Sequence, residues 1–367
     1  MSETASESNA YLLGSETPLC RAFDAALFDL DGVVYRGPLP VERAPGAIAA
    51  ARAVGMRTVF VTNNANREPG TVADHLSEIG VPSGPSDVLT SSQVAAVLLG
   101  ERLDRGSRVL AVGGAGLRTA LQAEGFTLVE GADEDPDAVV QGFAPSVGWT
   151  HLAEAGYAIR AGALYVATNL DLTIPTDRGI APGNGTLVGV VVAATGVTPL
   201  AAGKPEPAMF LQAAARADAV RPLVVGDRLD TDLAGAVAAD QAGLLVLTGV
   251  SGPRDAVLAE PKERPRFIAP DLDGLLVPHP EPRRVGPGEW ECRGARVRID
   301  GSHLVAVTES DGASAGWDAS QGPAQPVEIS IDALRALCCA AWERADAGHP
   351  LLDVPDVRVK PGVGAAG

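Results

Sequence analysis

Residues 25–32 read Ala-Ala-Leu-Phe-Asp-Leu-Asp-Gly. An apolar run of this length that ends in acid and glycine predicts a strand buried on both faces, the kind that builds a parallel sheet. Side chains alternate along extended backbone, so Asp29 and Asp31 fall on one side. At the carboxyl end of a parallel strand, that side opens on the crevice where doubly wound sheets bind ligands. Two carboxylates so close repel each other unless a proton or a cation intervenes. A hard cation such as Mg²⁺ resolves the repulsion, since it takes oxygen ligands. A helix N-cap or a solvated turn also explains an isolated Asp-x-Asp, so its meaning depends on the rest of the chain.

The next stretch repeats the pattern. A helix over 45–55 leads to a second buried strand at 57–62, RTVFVT, and a helix over 70–80. Strands alternating with helices predict an α/β fold with a doubly wound parallel sheet. A second series has strands at 108–112, 138–142 and 164–167, a helix over 117–125, and an apolar helix running to Ala194 after a glycine-rich loop at 182–185. Buried-strand character returns at 223–226 and 244–247, with a helix expected over 231–242 between them. The proline- and charge-dense stretch 278–288 predicts a linker. Beyond it come expected strands at 294–299 and 304–308, a Gly/Ser/Gln-rich loop, and a helix over 331–347.

Three further stretches carry chemistry. Thr62-Asn63-Asn64 ends the second strand, where a hydroxyl and backbone amides at a strand-to-helix turn suit phosphate oxygens; an N-cap and turn is the plainer alternative. Gly203-Lys204-Pro205 offers a lysine on stiffened backbone that can offset phosphoryl charge. Gly226-Asp227-Arg228-Leu229-Asp230-Thr231-Asp232 puts Asp227 at the end of a buried strand and Asp232 at the start of a helix. Gly113-Gly-Ala-Gly116 looks like a dinucleotide loop, but Thr119 stands where the third glycine belongs, so the fingerprint fails.

In this order, Asp29-x-Asp31-Gly, Thr62-Asn-Asn, Gly-Lys204-Pro and Gly-Asp227-x-x-x-Thr-Asp232 resemble the motif series of the haloacid dehalogenase superfamily of phosphatases, over about residues 24–275. Residues 167–185, ATNLDLTIPTDRGIAPGNG, resemble the signature of the large α/β cap that one class of the superfamily inserts between its second and third motifs. The resemblance implies a Rossmann-like core from 21–87 and 201–277, a cap from 88–200, a loosely attached N-terminus over 1–20, the linker at 278–288 and an accessory α+β domain over 289–367. It also implies an Mg²⁺-dependent phosphatase. Asp29 is the expected nucleophile and Asp31 the expected acid and base. Mg²⁺ is expected on Asp29, the Asp31 carbonyl and Asp227, with Asp232 behind them. Thr62 and Lys204 are expected to grip the phosphoryl group, and Asn63, Asn64, Asn169 and Asp171 to position substrate. Leu172-Thr173-Ile174 replaces the aromatic and histidine that some relatives use on ring substrates, which leaves room for a small aliphatic leaving group.

The tail resembles that of actinobacterial glycerol-3-phosphate phosphatases, a degenerate acetyltransferase-like module, so glycerol 3-phosphate is the first expected substrate. Nucleotide, phosphoglycolate or 4-nitrophenyl phosphate on the same machinery is the alternative. A non-catalytic regulator and a metal-free dehalogenase fit less well, because all the carboxylates are present. Arg283-Arg-Val-Gly286-Pro-Gly288 matches the letters of an acetyl-CoA pyrophosphate loop, but it leads into an expected strand and Pro287 lacks an N–H. Pairing of two copies through the cap is expected from the family.

Bulk properties bound these readings. A chain of 367 residues implies more than one domain. A net charge of −17 argues against general nucleic-acid binding. No apolar stretch approaches the roughly 20 residues that span a bilayer, and the polar N-terminus lacks an export pattern, so a cytoplasmic protein is expected. Cys20, Cys292, Cys338 and Cys339 fit no zinc spacing, and the five histidines form no ligand pair.

Overall fold

The computed structural model describes residues 11–176, 178–300, 303–308, 314–316, 327–352, 354 and 356–360. The chain forms two compact units, one from residues 1–57 and 219–367, the other from 58–218. The fold is α/β, with a parallel-sheet Rossmann-like core, an inserted cap subdomain and a small C-terminal α+β extension.

In the first unit the parallel strands Phe267–Ala269, Ala242–Val246, Pro222–Gly226 and Ala25–Asp29 lie side by side in that order. Every residue of Ala25–Asp29 is buried, as its unbroken apolar character requires. Phe28 pairs with Val225 in register, which brings the outgoing ends of two strands far apart in sequence to one place. The helix expected over 231–242 is shorter. A π turn at Leu229–Leu233 runs into the helix Ala234–Ala238, and the chain reverses at Asp240, whose φ of 54° is left-handed. Ala242 and Gly243 already belong to the next strand. Gly243 accepts the Leu233 side chain where a Cβ would clash, a tertiary requirement that alanine-rich sequence does not announce.

The extension is an antiparallel sheet of Arg283–Gly286, Glu289–Cys292, Ala295–Asp300, His303–Thr308 and Ser314–Gly316, covered by the helix Ile331–Asp346. Strict alternation of buried and exposed residues over Ala295–Asp300 marks a one-sided sheet. The stretch expected as a linker thus contains an edge strand, and His279 within it is buried. Arg283–Gly286 turns back at Gly288, φ 66°, into Glu289–Cys292, so the Gly-Pro-Gly letters serve a hairpin. The helix also packs on the core: Trp342 Nε1 donates to Ala256 O at 3.0 Å, and Arg264 holds Asp346 through two bonds of 2.7 and 2.8 Å. Leu245, Val257 and Ile268 share one apolar cluster with Leu334, Cys338 and Trp342.

Residues 11–20 make contacts within the first unit; residues 1–10 lie outside the described residues. Leu12 and Leu19 are buried, Leu13 N donates to Arg266 O at 2.9 Å, and the Tyr11 ring meets Trp290 at 5.1 Å. Apolar residues at 11–13 and 19–20 give this segment surface to bury.

In the second unit the strands Arg57–Thr62 and Val88–Thr90 pair in parallel. The inserted cap sheet is parallel throughout, in the order Leu200–Ala201, Leu164–Ala167, Ala138–Gln141, Arg108–Val112, Thr127–Val129. Its helices Trp149–Ala161 and Asn184–Thr195 pack with it around Val139, Ile159, Tyr165 and Val191. The helix Asn184–Thr195 starts inside the glycine-rich loop, and an antiparallel hairpin, Thr173–Thr176 with Gly179–Pro182, precedes it; Asp177 lies outside the described residues. The Gly113–Gly116 run meets a packing need. A Cβ on Gly116 would lie 2.8 Å from Arg67 O, and one on Gly114 would overlap the Asn66 side chain.

Candidate active site

Strand register builds a carboxylate cluster in the first unit. Asp29 ends its strand and Asp227 follows the neighbouring one, so both emerge at the same edge. The π turn brings Asp232 back to join them. Each of the three carboxylates has an oxygen within 4.8 Å of the others, and none is more than 8% exposed. π turns commonly accompany functional sites because they re-aim a side chain.

The surrounding backbone is shaped to these acids. Val250 N donates to Asp227 Oδ2 at 2.7 Å, Ser251 N to Asp227 O at 3.0 Å, and Arg228 N to Asp232 Oδ2 at 3.2 Å. A Cβ on Gly32 would stand 2.6 Å from Asp227 Oδ2, at a left-handed φ of 86° that favours glycine. One on Gly249 would overlap the same carboxylate. The Thr248 hydroxyl donates to Gly32 O at 2.6 Å, and Ser251 Oγ accepts from Leu229 N at 3.1 Å.

Asp31 lies just past the strand in an exposed position; its side chain is not in the group of three. Asp230 is a solvated partner of Arg228, 2.8 Å from its Nη2.

Three buried carboxylates at this spacing repel strongly, and each loses hydration. The donor set is all oxygen and carries no sulfur or imidazole, which suits Mg²⁺ or Ca²⁺ and not a soft metal. The residues therefore fit a hard divalent cation, held by Asp29, Asp227 and Asp232.

A second cluster, in the other unit, centres on Asn63. Asn63 Oδ1 accepts from Lys204 N at 2.9 Å, and its Nδ2 lies 3.1 Å from Lys204 O and 3.1 and 3.2 Å from the Asp171 oxygens. Asn169 Nδ2 donates to Asn63 O at 2.7 Å. One asparagine thus draws Lys204, Asn169 and Asp171 together, with Lys204 and Asn169 buried. Thr62 Oγ1 accepts from Asn64 N at 3.1 Å. Asn64 turns its side chain to the backbone N–H groups of Asn66 and Arg67 at 3.0 and 3.4 Å, the turn role that was its plainer alternative.

Sequence reasoning missed Ser91, Ser92 and the loop 248–251. Ser91 Oγ and Ser92 Oγ donate to Asn63 O and Ala65 O, each at 2.8 Å, and fix the motif loop from behind. Paired serines opening an apolar helix, and Thr-Gly-Val-Ser directly after a buried strand, were the available signals.

Family models agree with this arrangement. Residues 26–127 match a haloacid dehalogenase-like hydrolase model, and residues 201–275 match a second, HAD-hydrolase-like model. A D-glycerol 3-phosphate phosphatase of Mycobacterium tuberculosis is 42% identical over 92% of this chain and 98% of its own. The chain belongs to the haloacid dehalogenase-like hydrolases. Crystal structures of a glycerol phosphate phosphatase from the same organism, with magnesium and with calcium, superimpose with a TM-score of 0.78 at 40% and 39% identity, covering 94% of this chain and 95% and 96% of theirs. A 4-nitrophenylphosphatase from Thermotoga maritima gives 0.65 at 29% identity over 70% of this chain and 98% of its own. The longer match of the mycobacterial enzyme extends the likeness past the core and cap of this hydrolase into its tail.

Proposed function

We propose that this hydrolase is a Mg²⁺-dependent phosphatase of small phosphate monoesters, with glycerol 3-phosphate as its first substrate. The observation that carries the reaction is the convergence of Asp29 and Asp227, at adjacent strand ends, with Asp232 from the π turn. The mycobacterial likeness over nearly the whole chain supports the substrate.

In this reading an Asp29 oxygen attacks phosphorus in line, forming an aspartyl-phosphate as the bond to the leaving oxygen breaks. Asp31 gives that oxygen a proton, then takes one from the water that hydrolyses the intermediate. Its exposed position suits a group that trades protons with substrate and water. Thr62 and Lys204 hold the phosphoryl oxygens while Asn63 sets the Lys204 backbone. Asn169 and Asp171 meet the leaving alcohol, where a carboxylate accepts from a polyol hydroxyl. Mg²⁺, when bound, neutralises the carboxylates and the charge on the transferring group.

Two copies pairing through the cap is part of the same reading, supported by exposed Leu172 and Ile180 at 67% and 74% and testable by light scattering. Among the described residues, no helix is long and apolar enough to cross a membrane. The test is kcat/KM across glycerol 3-phosphate, a nucleoside monophosphate, phosphoglycolate and 4-nitrophenyl phosphate, with Mg²⁺ and with EDTA. Preference for glycerol 3-phosphate and loss with EDTA are expected. Equal turnover of all four removes the substrate assignment, and activity surviving EDTA removes the metal dependence.

A further inference from the structure

We infer that Asn184 is a positioning residue that fixes the segment carrying Asn169 and Asp171. The inference rests on the proposal that Asn169 and Asp171 meet the leaving group.

Asn184 is 1% exposed. Its Nδ2 donates to Asn169 O at 2.8 Å and to Gln141 O at 3.3 Å. One amide thereby bridges the end of Ala138–Gln141 and the segment that leaves Leu164–Ala167. The rest of the helix start grips the same segment: Gly185 N donates to Asp171 O at 2.9 Å, Gly183 N to Leu172 O at 2.8 Å, and Thr186 Oγ1 to Leu172 O at 2.6 Å. A Cβ on Gly185 would overlap Leu170 O, so the two backbones are pressed together. Asn169 Oδ1 in turn accepts from Asp171 N at 3.2 Å, and Asn63 reaches the Asp171 carboxylate. The placing of that carboxylate therefore passes through Asn184.

Behind this clamp the polar atoms exceed what packing asks for. Tyr165 OH donates to Gln141 Oε1 at 2.6 Å inside the cap core. Gln141 Nε2, Thr168 Oγ1 and Asn184 Oδ1 are buried without a hydrogen-bond partner among the described residues. Buried polar atoms left unmatched cost stability, and apolar residues of similar size would pack there more favourably. Asn184, whose amide reaches Asn169 O, is a polar residue that a task in orienting the 169–171 backbone explains.

Asn184→Asp tests this in the full chain, since it keeps the shape and replaces a donor by an acceptor facing two carbonyl oxygens. Hydrogen–deuterium exchange of the free protein is expected to quicken about tenfold or more in peptides covering 168–176, with the helix Trp149–Ala161 unchanged. Unchanged exchange at 168–176, or equal quickening throughout the cap, overturns the proposal. Should that variant fail to fold, Asn184→Ser carries the same test with a smaller shift in the same direction. In turnover, KM for glycerol 3-phosphate is expected to rise about tenfold with kcat within about twofold, while KM for 4-nitrophenyl phosphate, whose leaving group has no hydroxyl beyond the ester oxygen, stays within about twofold. An equal rise for both esters overturns it. If the unaltered protein does not hydrolyse glycerol 3-phosphate, the substrate reading fails alone and the exchange result still decides this one.

Discussion

In the unit of residues 1–57 and 219–367, the parallel strands Ala25–Asp29 and Pro222–Gly226 run out into Asp29 and Asp227. In the cap sheet of the other unit, Arg108–Val112, Ala138–Gln141 and Leu164–Ala167 run out into Gly113-Gly114, Gly142 and Thr168-Asn169. Both sheets are parallel and both alternate with helices, so architecture does not distinguish them. Strand-end chemistry does. The first edge gathers like charges that demand a cation; the second runs out into glycines, a hydroxyl and an amide, with Asn169 bonded to Asn63 O. The first can drive a charged reaction, and the second can hold a surface in place without competing for a metal.

The sharpest way to break this contrast is Asp29→Asn. Turnover should fall on the order of 10⁴-fold or more while circular dichroism stays that of the unaltered protein. Retained turnover would remove the charged edge from the chemistry.

Acid should separate the units next. His279 Nε2 lies 2.8 Å from Gly274 O and its Nδ1 3.3 Å from Arg335 Nη2, an arrangement that suits the neutral ring. Burial first, and then the Arg335 charge, hold its pKa down at about 4. Between an unfolded value near 6.5 and about 4, the unfolded chain takes a proton that the folded chain refuses. Stability is full above that window and falls as pH drops through it, by up to about 3 kcal/mol. Urea unfolding at pH 7 and pH 5 should show a smaller loss in His279→Gln than in the unaltered protein. Exchange protection at pH 5 should fail first in the first unit and not in the cap.

A smaller effect, with a sign that reverses, is expected of Asp227→Asn. Removing one of three buried like charges should raise the unfolding free energy in EDTA and lower it in excess Mg²⁺ relative to the unaltered protein, each by on the order of 1–3 kcal/mol. The same sign in both conditions would mean that no cation is held there. Asn64→Ala should matter least. Loss of its two bonds to Asn66 N and Arg67 N should cost about 1 kcal/mol in urea unfolding with kcat little changed; a large fall in kcat would return Asn64 to the substrate site.

How much was legible depends on where each signal lies. Strands at 25–29, 57–62, 108–112 and 164–167 could be read because each is a mostly apolar run closed by a polar residue or glycine. The strand at 283–286 could not, because an exposed edge strand needs no apolar face and looks like a charged linker. The gathering of Asp29, Asp227 and Asp232 in one group had no local signal either. It depends on strand register and on the π turn at Leu229–Leu233 that carries Asp232.

The sequence by itself determined the α/β class, the residue types that chemistry requires and their order along the chain, since apolar periodicity and turn residues are local properties. Which acids meet, which asparagine joins Lys204 to Asp171, and that the tail shares the core's apolar cluster were decided only by tertiary structure. Those outcomes depend on contacts between residues distant in sequence, and no local pattern records the partner of a side chain that meets it only after the chain has folded.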